Sequence, residues 1–327
     1  MKVLIADKLP SFTICQLKSL GCEVLNRVGL SGTELTEAVR EEGCEALIVR
    51  STKVPRETLM AGDRLKLVIR AGSGFDTIDI ATANEREIRV CNCPGMNAVA
   101  VAELTLGMMI ALDRQIVDET ADLRRGIWNK KRYAGHAMGL MGRTLGIVGM
   151  GNVGQAVARR AAAFGMGILY VDVVRRQDFE REVNLRKVPF DALLLESDFI
   201  TLHVPGGGQT HHMIGRRELG LMKPTAYLIN CSRGGVVDEV ALADALENGE
   251  IAGAASDVFE IEPTAEGKEF LDPIAKQPQF YGTHHVGAST IQAQEAVAEE
   301  ALKIVQDFIE YGEYRHCVNP PQPQAAV

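Results

Sequence analysis

The chain has 327 residues, 46% hydrophobic and 24% charged, which is enough to bury two separate cores and is the composition of a water-soluble protein. A formal charge of −8 and a pI near 5.5 argue against a nucleic-acid partner, which calls for a basic surface. Seven cysteines, at 15, 22, 44, 91, 93, 231 and 317, contain no CxxC pair; no metal site is expected, and reduced thiols suit a cytoplasmic protein.

Met1–Asp7 reads as a strand ending on a polar residue, without signal-peptide architecture. The apolar runs Val3–Ala6, Glu23–Leu25, Ala46–Val49, Leu67–Ile69 and Ile88–Cys91 alternate with helical patterns over Ser11–Leu20, Gly32–Glu42, Arg56–Ala61 and Ile80–Glu87. Such alternation predicts an α/β domain with a parallel sheet and helices on both faces. Cys91 and Cys93 are expected to be buried thiols at a strand end. The longest nearly apolar stretch, Val99–Leu112, contains Glu103 and is too short to span a bilayer. Its core, Val101–Leu112, is apolar nearly all round, so it needs cover on both sides, either between domains or in a subunit interface.

Next comes Thr144–Val148, a short apolar strand followed by Gly149-Met-Gly151-Asn152-Val153-Gly154 and an Ala-rich helix ending near Phe164. A second apolar run, Ile168–Val171, stops on Asp172. Strand, glycine turn, helix, strand and an acid about 20 residues on make up the dinucleotide-binding pattern. Gly149 permits the tight turn, Gly151 lets the backbone approach a pyrophosphate, and Gly154 lets helix and strand pack closely. The pyrophosphate rests on the positive helix end. Further strands are predicted at Phe199–His203, Ala226–Asn230, Gly253–Asp257 and Gln279–Gly282, giving a second doubly wound domain. The helix Ile291–Tyr311 is expected to return to the first domain, and residues 319–327, rich in Pro and Gln, read as disordered.

Three segments put polar groups at strand ends, where open α/β sheets bind ligands. Arg233 follows a buried strand and precedes Gly234-Gly235, a setting suited to bidentate capture of a carboxylate, though a surface ion pair is the plainer alternative. A carboxylate from Asp257-Val-Phe-Glu260-Ile-Glu262-Pro263 and a histidine from Thr283-His284-His285 would make a general acid/base. A helix-flanking Glu and a capping His remain the alternatives. Adjacent His284 and His285 point apart and form no metal site. His211-His212, beside the glycines 206–208, is expected to flank a cofactor rather than ligate anything. Ser232 lacks a nucleophile-elbow pattern.

Taken in order, Arg70-Ala-Gly-Ser-Gly-Phe-Asp-Thr-Ile-Asp79, Cys93-Pro-Gly-Met-Asn97, Gly126-Ile-Trp128, the glycine turn, Asn230-Cys-Ser-Arg-Gly-Gly235, Asp257–Pro263 and His285-Val-Gly-Ala-Ser-Thr290 resemble the D-isomer-specific 2-hydroxyacid dehydrogenases, most closely their phosphoglycerate branch. The resemblance implies a Rossmann cofactor domain, 98–287, inserted into a flavodoxin-like substrate domain, 1–97 and 288–327. It implies that Arg233 binds the substrate carboxylate and carbonyl, that His285 is the acid/base and that Glu262 pairs with it. Ser73, Gly74 and Asn97 would lie near the carboxylate, and His203, Pro205, Cys231 and Asp257 along the cofactor. A homodimer through the inserted domain and a small anionic 2-hydroxy or 2-oxo acid as substrate also follow from it.

In that branch the implied substrate is D-3-phosphoglycerate, oxidised for serine synthesis, and the extra dianion needs added positive charge. Arg50 with Arg70 is expected to supply it; Lys53 and Lys130, Lys131 and Arg132 are further candidates, with plain solvated surface as the alternative. Three departures stand out. His284 replaces the usual Pro before the catalytic His, the loop Pro205–Gly208 is unusually glycine-rich, and the chain stops at 327 without the branch's regulatory domain. Asp172 predicts NAD over NADP, with Arg175 and Arg176 pulling the other way. The competing readings are a glyoxylate or hydroxypyruvate reductase and, more remotely, an NAD-sensing corepressor. Formate oxidation is disfavoured because Glu262 stands where that branch has Gln.

Overall fold

Runs of four or five apolar residues become parallel strands where both faces are covered, and the inner strands of both sheets are built that way. The computed structural model describes residues 1–263 and 267–320. The chain divides into two units, Met1–Asn97 with Ser289–Val327, and Ala98–Ala288.

In the first unit, β1 (Lys2–Ile5), β2 (Glu23–Asn26), β3 (Ala46–Val49), β4 (Leu67–Arg70) and β5 (Arg89–Asn92) form one parallel sheet in the order β2-β1-β3-β4-β5. This is the flavodoxin-like order, which reverses direction between β1 and β3. All four residues of β3 are buried, as a strand covered on both faces requires. Leu35, Val39 and Leu59 cover one face. Leu17 with Val297, Ala301 and Val305 covers the other, so the helix Ile291–Tyr311 completes this unit. Its start is capped by Thr290, whose Oγ1 accepts from the Ala293 N–H at 3.1 Å, and Gly312 ends it at φ 69°.

The second unit carries β6 (Thr144–Val148), β7 (Gly167–Val171), β8 (Leu185–Lys187), β9 (Phe199–Leu202), β10 (Tyr227–Asn230), β11 (Gly253–Ser256) and β12 (Phe280–Gly282). They run parallel in the order β12-β11-β10-β9-β6-β7-β8. That is the dinucleotide-fold order with a seventh strand added, and it reverses between β6 and β9. The sequence reading misses β8: Leu185-Arg-Lys187 is short, charged and at the sheet edge, so neither length nor alternation marks it.

Val101–Leu112 lies in the helix Ala98–Arg114, which packs on β10, β11 and the helix Asn152–Ala163 of its own unit. Val99, Glu103, Gly107 and Arg114 form a narrow exposed stripe at helical spacing. The second unit thus covers most of the helix and leaves only that stripe exposed. Cys91 and Cys93 are buried, and burial pushes the Cys93 thiol up to about 12. Among the described residues no helix is long and apolar enough to cross a membrane.

Of the stretch read as disordered, 321–327 lies outside the described residues, but Asn319 contradicts that reading. It is 4% exposed, its Nδ2 donates to the Ile88 carbonyl at 2.9 Å, and its Oδ1 accepts from the Val90 N–H at 2.7 Å. The backbone of residues 316–318 pairs along the open edge of β5, and the Asn319 amide extends that pairing to the start of the strand, a link between distant residues that local composition does not report. Asn319→Ala leaves the Ile88 carbonyl and the Val90 N–H unpaired and is expected to cost about 2 kcal/mol, measurable by urea unfolding of the whole chain.

Candidate active site

The glycine turn opens at the end of β6, beside β9, where the strand order reverses and open sheets bind ligands. Gly149 has φ +96°, and a Cβ there would sit 2.5 Å from the His203 carbonyl oxygen. A Cβ on Gly154 would run into the Gly149 carbonyl, whereas one on Gly151 would meet nothing within 4 Å. Two glycines are therefore required by packing, and the third borders open space in front of the helix that begins at Asn152. Val153 packs against the core beneath. Next to this space, His203 holds Nε2 3.0 Å from Thr201 Oγ1, and its buried Nδ1 has no hydrogen-bond partner. Desolvation lowers the His203 pKa and keeps the ring neutral. Clear space over Gly151, an orphaned ring nitrogen and an acid at the end of β7 fit a dinucleotide.

That acid, Asp172, accepts from Met150 N–H at 2.6 Å and Val174 N–H at 2.7 Å, one bond to each oxygen. A carboxylate has about four lone-pair sites, so ribose hydroxyls still find acceptors. Arg175 does not stand ready for a 2′-phosphate. Its Nη2 is 3.0 Å and its Nε 3.1 Å from Glu180 oxygens, and the buried Tyr170 hydroxyl donates to the same carboxylate at 2.7 Å. Arg176 is engaged through its backbone, which donates to Tyr170 Oη at 3.0 Å. The sequence shows the two arginines but not this lock, which holds the Arg175 guanidinium away from a 2′-phosphate. Pro205 follows His203 exposed, and Cys231, its thiol pushed up to about 12 by burial, packs its Sγ 3.7 Å from Met108 Sδ.

Arg233 is aimed by the turn after β10. The Asn230 side chain donates to the Arg233 carbonyl at 2.9 Å and accepts from Ser232 N–H at 3.0 Å. A Cβ on Gly234 would collide with the Phe259 carbonyl, and one on Gly206 would lie 3.1 Å from Arg233 Cγ. The Phe259 loop thus presses on the turn beside Arg233, where only glycine fits, and the Gly206 loop lies close against the Arg233 stem.

Asp257, directly after β11, organises the histidine. Its buried carboxylate accepts from Thr283 Oγ1 at 2.6 Å and from the Val286 and Gly287 N–H groups at 2.8 Å each. Its carbonyl takes the His285 N–H at 2.7 Å. His285 adopts φ 52°, a conformation costly for a side chain larger than glycine and sustained only where surroundings impose it. The result brings His285 Nδ1 to 2.9 Å from Glu262 Oε2, while Glu262 Oε1 accepts from Phe259 N–H at 3.2 Å. The Glu262 hydrogen bond raises the imidazole pKa; partial burial and the Arg233 charge oppose it, and the charges of Glu262 and Asp257 add to it. Burial disfavours ionised Glu262, yet its bond to His285 holds it below the ordinary glutamate value. His285, not His284, therefore meets the carboxylate.

In the first unit the substrate candidates form two groups. Ser73 Oγ donates to Asn97 Oδ1 at 2.6 Å, and Asn92 Nδ2 donates to the Ser73 carbonyl at 2.6 Å, stitching the loop through Gly74 to the end of β5. Arg70 ends β4 in register with Val49, so Arg50 follows on the adjacent strand at the side where the order reverses. Asp7, after β1, accepts from the N–H groups of Arg50 (2.6 Å), Ser51 (3.2 Å) and Thr52 (3.1 Å). Arg50 Nη2 reaches Ser289 Oγ at 3.3 Å. Lys53 is exposed, and Lys130, Lys131 and Arg132 lie in the other unit, with Arg132 3.7 Å from Asp122. Asp7, Asn230 and Glu180 escaped the sequence reading, as did the clamping role of Asp257. For Asp7, Asn230 and Asp257 the signal is a polar residue at the edge of an apolar run, whereas Glu180 lies inside the charged helix Gln177–Val183, where nothing local marks it. Glu180→Gln frees Arg175, and NADPH affinity, followed by nicotinamide fluorescence, is expected to rise about tenfold while NADH affinity holds.

Comparison with known proteins places this geometry. The family described as D-isomer specific 2-hydroxyacid dehydrogenase, NAD binding domain, matches residues 106–287. A D-3-phosphoglycerate dehydrogenase of Methanocaldococcus jannaschii is 41% identical over 312 residues, covering 94% of this chain but only 58% of that protein. A glyoxylate reductase of Thermococcus litoralis is 45% identical over 275 residues, covering 82% of this chain and 81% of the relative. The solved structure of a D-lactate dehydrogenase from Aquifex aeolicus complexed with NAD and lactic acid superposes with a TM-score of 0.85 at 30% identity, over 98% of this chain and all of that one. The two-sheet architecture, the glycine turn and these likenesses agree: the chain belongs to the D-isomer specific 2-hydroxyacid dehydrogenases and carries their NAD-binding domain.

Proposed function

We propose that this protein interconverts a D-2-hydroxy acid and its 2-oxo acid with NAD, and that the substrate is D-3-phosphoglycerate, oxidised to 3-phosphohydroxypyruvate for serine synthesis in the cytoplasm. The observation that carries the chemistry is the 2.9 Å bond between His285 Nδ1 and Glu262. It assigns the ring hydrogen to Nδ1 and leaves the Nε2 lone pair to take a proton. Arg233 holds the substrate carboxylate and polarises the C2 oxygen. His285 Nε2 removes the C2 hydroxyl proton as the C2–H electron pair departs as hydride and the C2 carbonyl forms. Bound NAD supplies the two-electron acceptor. Glu262 remains ionised and stabilises the imidazolium, and Asp257 keeps the ring in place. In reduction the same Nε2 donates its proton. Ser73 and Asn97 serve as further partners of the carboxylate.

The phosphate reading rests on Arg50 and Arg70 ending adjacent strands, with Arg50 held by Asp7. The second reading, a reductase of unphosphorylated acids such as glyoxylate or hydroxypyruvate, draws on the glyoxylate reductase likeness, which extends over four-fifths of both chains. The phosphoglycerate dehydrogenase relative is matched over less than two-thirds of its length. In either reading the protein works as a homodimer through its second unit. Supporting this, Trp128, Met138 and Met141 are 81%, 68% and 84% exposed there, with Ile116, Val117 and Leu123 nearby in sequence.

Initial rates separate the readings: NADH formation with D-3-phosphoglycerate against NADH oxidation with glyoxylate or hydroxypyruvate. Arg50→Ala is expected to raise the phosphoglycerate KM about tenfold or more and leave glyoxylate kinetics unchanged. An unchanged phosphoglycerate KM removes Arg50 from the phosphate site. Because Glu262 raises the His285 pKa above 6.5, kcat/KM for oxidation should rise with pH through an inflection above that value. In Glu262→Gln the stabilising charge is gone, so the inflection moves to lower pH and the plateau rate falls. An inflection that stays put would assign the titration to another group.

A further inference from the structure

His211, His212 and Glu260 take no part in the chemistry above, and among the described residues they are the one group of three metal-ligating side chains that converge. Their ligand atoms all lie within 4.8 Å of one another. Neighbouring residues in an extended chain point apart, so the sequence predicts no shared ligand for a His-His pair. Here His212 adopts φ 49°, which swings its ring to the side of His211, and the two rings stack at 4.0 Å between centroids. Backbone bonds hold both residues: His211 N–H donates to the Gly207 carbonyl at 2.9 Å and His212 N–H to the Gly235 carbonyl at 2.8 Å. Glu260 is held from the opposite side, its N–H donating to Glu239 Oε1 at 2.8 Å.

Both Nε2 atoms aim at the one carboxylate, His211 at 3.3 Å from Oε1 and His212 at 3.1 Å from Oε2. Two ligands about 2.0–2.1 Å from a tetrahedral ion stand about 3.3 Å apart, so these separations are those of ligands around one ion. Two imidazoles with a carboxylate also make up the three-ligand set of open zinc sites, in which water takes the fourth position. All three side chains are exposed, giving an ion a direct path.

We propose that His211, His212 and Glu260 bind one divalent cation of the zinc class, with water as the fourth ligand. The ion would link the glycine-rich loop, whose Gly206 rests on Arg233, to the loop that carries Glu262 two residues beyond Glu260. The site is therefore separate from the His285–Glu262 pair yet tied to both loops that present the reacting groups.

The test uses the full chain after chelator treatment, titrated with zinc chloride by calorimetry and with cobalt(II) chloride by visible absorption. One zinc per chain and the intense bands of four-coordinate cobalt are expected. Glu260→Gln and His211→Ala should each weaken zinc at least about tenfold while keeping the metal-free melting temperature. Cys15→Ser and His136→Ala, which remove other exposed ligand types, should change affinity less than about twofold, and His285→Ala should retain the ion. Wild-type affinity in both Glu260→Gln and His211→Ala, loss of the ion in His285→Ala, or no zinc uptake by the unaltered chain would each overturn the assignment.

Discussion

A carboxylate standing directly after a parallel strand and accepting backbone N–H groups from a loop is the interaction on which both units depend. Asp7 follows β1 and gathers the amides of 50–52, Asp172 follows β7 and gathers those of Met150 and Val174, and Asp257 follows β11 and gathers those of Val286 and Gly287. Beyond the carboxyl ends of parallel strands the backbone leaves the ladder, and its amides need acceptors elsewhere. A short ionised side chain satisfies two or three of them with charge-assisted bonds and little loss of rotamer freedom. Each of these clamps sets the path of a loop bearing a candidate ligand-binding group: Arg50, the glycine turn, or His285.

The electrostatics at His285 follow from that placement. Glu262 pulls the imidazole pKa up, and burial and Arg233 pull it down. A ring held between opposing influences can exchange a proton in both directions of a reversible redox step, whereas a lone buried histidine such as His203 stays neutral. The residues proposed for proton transfer and those proposed for substrate choice also fall in different units. Arg233, Glu262 and His285 all belong to the second, and Arg50, Arg70, Ser73 and Asn97 to the first.

Much of this was legible in the sequence. The glycine turn is local, with all its parts inside one strand-turn-helix unit, so spacing alone conveys it. Arg233 and the segments 257–263 and 283–285 stand out as polar stretches following apolar runs, and the family resemblance picks Glu262 and His285 within them. What could not be read depends on contacts between distant segments or on single backbone angles. The short edge strand β8 is charged, and its identity comes from β7 beside it. Asn319 gains its place from groups more than 200 residues away. The meeting of His211 and His212 turns on one left-handed residue, and the restraint on Arg175 comes from Glu180 and a buried tyrosine.

The first unit is assembled from both sides of an insertion. Its sheet comes from residues before Asn97, but Val297, Ala301 and Val305, which cover one face, follow the whole second unit. On a ribosome these strands emerge first and wait, one apolar face covered only in part by the Leu17 helix, until some 190 further residues have been made. At about 5–20 residues per second that interval lasts about 10–40 seconds. The inserted unit is contiguous and can close its own core meanwhile. The unit begun first is thus completed last, and its waiting sheet is the stage at which the chain is most open to aggregation or to a chaperone.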